Sequence, residues 1–188
     1  MGEKDISYIK KKCRQERGVI IFEDEAAFRQ DVTIFRSWFR KGRRTYIPSL
    51  GQRNTQHVYG AISLPGARFS YRFTDSCNVS THQEFLERLV CKFHPQKIFL
   101  IEDNARYHKS PEMWSWFDAH RKEIEPWFLP PYSPELNPME SIWGYTRRQG
   151  THNNFFPTIY VLIYSIKTVF RDIQNHPHLV ENYLKPYL

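Results

Sequence analysis

What this chain is short of narrows its class before any motif is read. It holds three cysteines in 188 residues, Cys13, Cys77 and Cys91. Odd in number and far apart, they argue against a disulfide framework and for a reducing compartment. No apolar run approaches the roughly 18 residues needed to span a bilayer. The opening MGEKDISYIKKK lacks the apolar stretch of a signal peptide. A cytoplasmic, nucleoid-associated chain with no membrane partner is the expectation. Internal repeats, low-complexity segments and linkers are absent too, so one domain over 1–188 with one core is expected. Acidic residues are the minority charge, 20 against 27 basic, for a net charge of +7. That surplus favours a polyanionic partner, although a merely basic surface would give the same count.

What is present begins with a basic lead-in, 1–17, that reads as helical. GVIIFEDEAAF, Gly18 to Phe28, has apolar residues at consecutive positions, as expected of a strand buried on both faces, and it ends in three acids. HVYGAISLPGARFSYRF, His57 to Phe73, predicts a hairpin broken at Pro-Gly, completing an antiparallel meander. The period then changes to that of a helix: STHQEFLERLVCKF aligns Phe85, Leu86, Leu89, Val90 and Phe93, with Thr81 and Glu84 fitting a capping box. KIFLIEDN, Lys97 to Asn104, is a second short apolar strand ending in acids. SPEMWSWFDAHRKEI is a helix with Ser110 as N-cap and Pro111 at its first position. PWFL, Pro126 to Leu129, predicts a third short strand. Asn137, Pro138 and Glu140 read as N-cap, N1 and N3 of a further helix, and FPTIYVLIYSIKTVFRDI forms the last one. The order βββ, α, β, α, β, α, α implies an α/β domain. Its mixed sheet, an antiparallel meander plus parallel strands, would carry helices on both faces.

Two buried strands and one helix start each deliver a carboxylate: Asp24, Asp103 and Glu140. If the strands are neighbours, their ends lie about 5 Å apart. Three close carboxylates repel one another, and binding divalent cations is the simplest way to keep all of them ionised. Oxygen ligands suit Mg²⁺ or Mn²⁺. Two such ions, about 3.5–4 Å apart, can activate a water or 3′-hydroxyl and stabilise a leaving oxygen in phosphoryl transfer.

FEDEAAF, SWFRKGRR, VYGAIS, IEDNARYH and PPYSPELNPMESIW, in that order from about Gly18 to Arg148, resemble the catalytic domain of the Tc1/mariner and IS630 superfamily of DDE transposases. The resemblance implies a ribonuclease H-like fold over a motif-bearing core, 18–148, followed by a helical segment, 149–188. It also implies DNA strand cleavage and 3′-hydroxyl strand transfer on element ends, into a target dinucleotide TA. By position, Asp24, Asp103 and Glu140 match the family's three catalytic acids, and the proline-rich stretch before Glu140 resembles the rigid connector that sets the last acid against the others. Family members usually carry helix-turn-helix modules ahead of this domain. Here about 20 residues precede the first strand, too few for such a module. The chain is therefore expected to be a fragment, a split-frame product or a degenerate copy, acting as a homodimer on DNA or with a partner chain that carries the module.

Around the three acids, strand alternation lets only one of each adjacent pair reach the site, so Glu23 and Glu102 should point away. Glu25, of the recurring Asp-Glu pair, is expected behind the metal ligands. Asn104 is expected to orient the Asp103 loop, and His108 to sit at the site edge and touch DNA or the scissile phosphate. Arg40, Lys41, Arg43 and Arg44, beside Trp38, are candidate phosphate contacts, as are Arg106 and Lys109. Trp143 reads as a packing anchor. Cys77, His82, Cys91 and His94 fit no standard zinc spacing. Two other readings stay open: a non-catalytic DNA-binding remnant and a stand-alone ribonuclease H-like nuclease.

Overall fold

The computed structural model describes residues 3–38, 41–42, 46–49, 51 and 53–188. Five strands form one sheet in the order β3-β2-β1-β4-β5. They are β1 (Val19–Arg29), β2 (Thr55–Leu64), β3 (Phe69–Thr74), β4 (Ile98–Glu102) and β5 (Ile124–Phe128). The first three pair antiparallel as the expected meander, and β4 and β5 add in parallel.

Alternation along β1 and β4 explains the layers. Ile20, Phe22, Phe99 and Ile101 face one side, where α1 (Glu3–Gln15), α4 (Pro138–Thr146), α5 (Ile159–Asn175) and α6 (His178–Leu184) cover them. Val19, Ile21, Ile98 and Leu100 face the other, under α2 (Val79–Phe93) and α3 (Pro111–Ala119). Strands covered on both faces need continuous apolar runs, which is why VIIF and IFLI read as they do. Each large side chain so buried contributes about 1.5–3 kcal/mol.

Five details depart from the sequence expectations, the first being that α3 ends at Ala119, short of Ile124. Asp24 does not end its strand, because β2 pairs with β1 as far as Arg29–Thr55. Parallel pairing with β4 does stop early, at Phe22–Ile101, so Asp24 lies two residues past it, level with Asp103. Helix α2 starts earlier than expected: Asn78 is its N-cap and Thr81 its N3 residue, each side chain bonding the other's backbone, while Glu84 pairs with Arg72 instead. Strand β5 begins at Ile124, since Pro126 sits on an edge strand that tolerates the missing N–H. The separate helix α6 gave no clear sequence signal.

Candidate active site

Asp24 reaches the α4 side of the sheet from the middle of β1. Its antiparallel partner is Gly60. A Cβ at Gly60 would lie 2.3 Å from Cη2 of Trp143, so only glycine lets the indole lie across β2 at this point. Trp143 is fully buried, and its Nε1 donates to Asp24 Oδ2 at 3.1 Å. The expected packing anchor therefore also fixes the first acid, a role that sequence alone did not reveal. Burial, then the carboxylates of Glu25, Glu23 and Glu140, push the Asp24 carboxyl up to about 8, against the opposing effect of the Trp143 N–H.

Asp103 follows β4 directly, and its Oδ1 accepts the Ala105 N–H at 2.8 Å. The same oxygen lies 3.2 Å from Nδ1 of His108. That imidazole, with the Ala105 N–H helping and burial opposing, holds Asp103 below the usual carboxylate range. Asn104 lines the cleft, while the loop's hydrogen bond comes from Ala105.

Glu140 rides on the first turn of α4. The expected capping box does not form: Asn137 Oδ1 accepts the Met139 N–H, and the Asn137 N–H donates to Pro134 O at 3.0 Å. Glu140 is thus exposed, with no capping duty. Between Asp103 and Glu140 runs the proline-rich connector, in which Asn137 Nδ2 also donates to the Glu23 carbonyl and ties α4 to β1. Tyr132 stands fully exposed on it, at φ 56.

These pieces enclose a cleft of about 550 Å³, lined by Asp24, Asp103, Asn104, Arg106, the connector 129–134, Asn137 and Glu140. The three acids share this space without collapsing onto one another. The groups whose donor atoms all lie within 4.8 Å, among the described residues, are instead Glu25, Asp103 and His108, and Glu23, His82, Glu102 and His108.

His108 departs furthest from its expected place. It has no exposed surface and so faces no DNA; its Nε2 lies 3.0 Å from Glu25 Oε1 while Nδ1 serves Asp103. Burial would lower its pKa, but Asp103, Glu25 and Glu102 override that and hold it at about 12. Glu23 and Glu102 point away from the cleft as alternation requires, and both are fully buried. Arg106 is exposed at the cleft. Lys109 is also exposed and lies 4.5 Å over the Phe128 ring. Lys41 is exposed in a turn, whereas Arg40, Arg43 and Arg44 lie outside the described residues.

Residues 19–163 match the family model described as DDE superfamily endonuclease. The chain belongs to the DDE superfamily endonucleases. It is 25% identical over 167 residues to an uncharacterized 39 kDa protein of insertion element IS630 from Shigella sonnei, covering 88% of this chain and 48% of that protein. To the Tc3 transposase of Caenorhabditis elegans it is 25% identical over 183 residues, covering 92% and 55%. The chain thus spans about half the length of these curated relatives. The crystal structure of the catalytic domain of Mos1 mariner transposase superposes with a TM-score of 0.58 at 14% identity, over 98% of this chain and 87% of that one. A pre-cleavage Mos1 transpososome gives a TM-score of 0.63 at 15% identity, over 98% and 58%. The fold of this DDE endonuclease domain is ribonuclease H-like, as the sequence motifs implied.

Proposed function

We propose that this domain cleaves DNA strands and transfers the 3′-hydroxyl to target DNA, with Asp24, Asp103 and Glu140 holding two Mg²⁺ or Mn²⁺ ions. The observation that carries the reading is the convergence of these three acids, from β1, the end of β4 and the start of α4, on one open cleft. The donor set suits such ions. Three carboxylates face the cleft with Arg106 as the one basic side chain lining it among the described residues, and burial first, then neighbouring carboxylates including Glu140, raise the Asp24 carboxyl, so a cation there would relieve it. Paired-end complexes of Mos1 have been solved with Mn and with Mg, which supports the choice of metal.

When bound, the cations would supply charge for the leaving oxygen and a more acidic attacking water or hydroxyl. This chain's residues do the rest. Trp143 fixes one oxygen of Asp24 and leaves the other free, while His108 and the Ala105 N–H aim Asp103. Asn137 anchors the helix that presents Glu140. Arg106, which lines the cleft, would meet a phosphate entering it. A homodimer on DNA, or a partner chain carrying a helix-turn-helix module, would supply recognition of the element ends, and TA is the target carried over from the family.

Incubating the domain with supercoiled plasmid and Mn²⁺ or Mg²⁺ tests this. The expected result is metal-dependent nicking that leaves 3′-hydroxyl ends and disappears in Asp103→Asn. No nicking, even after fusion to a DNA-binding module, would favour a non-catalytic remnant. Nicking that persists in Asp103→Asn would place the chemistry elsewhere.

A further inference from the structure

Behind the cleft, on the α2/α3 face of the same two strands, lie four side chains whose grouping the proposed reaction leaves unexplained. Glu23 and Glu102 reach this face by alternation. His82 meets them from the first turns of α2, and His108 from the short 3-10 turn Arg106–Lys109. All four are fully buried. Nε2 of His82 lies 3.3 Å from Glu102 Oε2 and 3.7 Å from Glu23 Oε2; Nδ1 of His108 lies 3.9 Å from Glu102 Oε2. The two imidazoles stack at 4.5 Å between centroids. None of the His82 contacts is aligned as a hydrogen bond. Both oxygens of Glu23, both of Glu102 and both ring nitrogens of His82 lack any hydrogen-bond partner. Folded proteins leave buried polar atoms unpaired only a few times per hundred residues, and here six are gathered at one point.

We propose that Glu23, His82, Glu102 and His108 form a buried site for a transition-metal dication of the zinc class. A dication binding here would displace the protons that the imidazoles otherwise carry; two carboxylates and two neutral imidazoles with one dication then sum to zero charge, which satisfies both acids in an interior that penalises unpaired charge. Bonds of about 2.0–2.2 Å set tetrahedral donor atoms about 3.4 Å apart; the four donor atoms all lie within 4.8 Å of one another, and three of their approaches are already 3.3 to 3.9 Å. Glu25 supplies the outer contact such sites use: its carboxylate takes Nε2 of His108 at 3.0 Å and leaves Nδ1 as the donor atom facing the site. That nitrogen also lies 3.2 Å from Asp103 Oδ1, so an ion here would take over the place of the His108 proton directly behind a cleft acid. Imidazole ligands and a dry pocket disfavour Mg²⁺, which keeps a shell of oxygens and waters. The two faces of the sheet would thus select different metals. With no exposed path, the ion enters during folding and leaves only on unfolding.

The test needs no DNA and does not depend on the proposed reaction. The chain is unfolded in chelator, refolded with excess Zn²⁺ or Co²⁺, dialysed against chelator in the folded state, and its metal measured by elemental analysis. About one equivalent is expected to stay, with visible absorption bands of tetrahedral Co²⁺ in the cobalt form and a higher melting temperature than the metal-free refolded chain. The Glu23→Gln, Glu102→Gln double variant keeps the side-chain shape and all three cysteines; shown folded by circular dichroism after refolding, it should retain no metal. A refolded wild-type chain without retained metal, or metal retained equally by the double variant, overturns the proposal.

Discussion

Two pairs of adjacent acids, Glu23–Asp24 on β1 and Glu102–Asp103 at the end of β4, are divided between two faces of one sheet, and the two faces treat them in opposite ways. On the α4 face Asp24 and Asp103 join Glu140 in an open cleft, where acid exceeds base. On the α2/α3 face Glu23 and Glu102 are sealed from solvent against two imidazoles. The difference is one of access: the cleft acids face solvent, from which a cation could reach them, while the buried acids have only two imidazoles within reach and are closed off from water. The acids of one face should therefore govern activity, and those of the other stability.

The largest effect should come from the cleft. Asp24→Asn and Asp103→Asn are each expected to cut metal-dependent DNA nicking by about a thousandfold or more, at unchanged secondary structure by circular dichroism. Next comes the buried face. Glu102→Gln leaves an imidazole beside a lost partner and is expected to cost about 3 kcal/mol in urea unfolding. If instead it left stability unchanged and abolished nicking, the division between the faces would fail.

Asp24 then supplies a smaller effect of opposite sign. Its folded pKa of about 8 lies above the value of an unfolded aspartate. Its contribution therefore favours the fold at low pH and is lost as pH rises from about 4 through 8. Without metal, Asp24→Asn should melt a few degrees higher than the parent above about pH 8, and the two should converge near pH 4. The same proton must leave when a cation binds. Apparent Mg²⁺ affinity, by titration calorimetry, should thus rise up to about tenfold per pH unit from 6 to 8 and level off above.

Much of this comparison could be read in advance, and the unread part has a common cause. The apolar runs before Asp24 and Asp103 disclosed the two strands, and alternation correctly sent Glu23 and Glu102 away from the cleft. The end of β1 was not legible, because the partner that extends it to Arg29 is the distant β2. Glu140 resembled a capping residue, and only the connector's fold shows that Pro134 takes the Asn137 N–H. Nor did spacing announce that Glu23 would meet His82, that Trp143 would hold Asp24, or that His108 would be buried. Each is a contact between elements, set by packing and not by local pattern.

The central claim is that Asp24 on β1 and Glu140 on α4, brought to one cleft by the packing of α4 on the sheet, bind the same cations. The most direct measurement is the rise in melting temperature on adding Mg²⁺ or Mn²⁺ to the wild-type chain, to Asp24→Asn and to Glu140→Gln. Because Glu140 has no capping duty, its glutamine variant should fold with metal-free stability within about 0.5 kcal/mol of the parent. The expected result is a clear shift for the wild type that is lost in both variants. A shift of full size surviving in either would contradict the account, and one surviving in both would remove the cleft as the metal site.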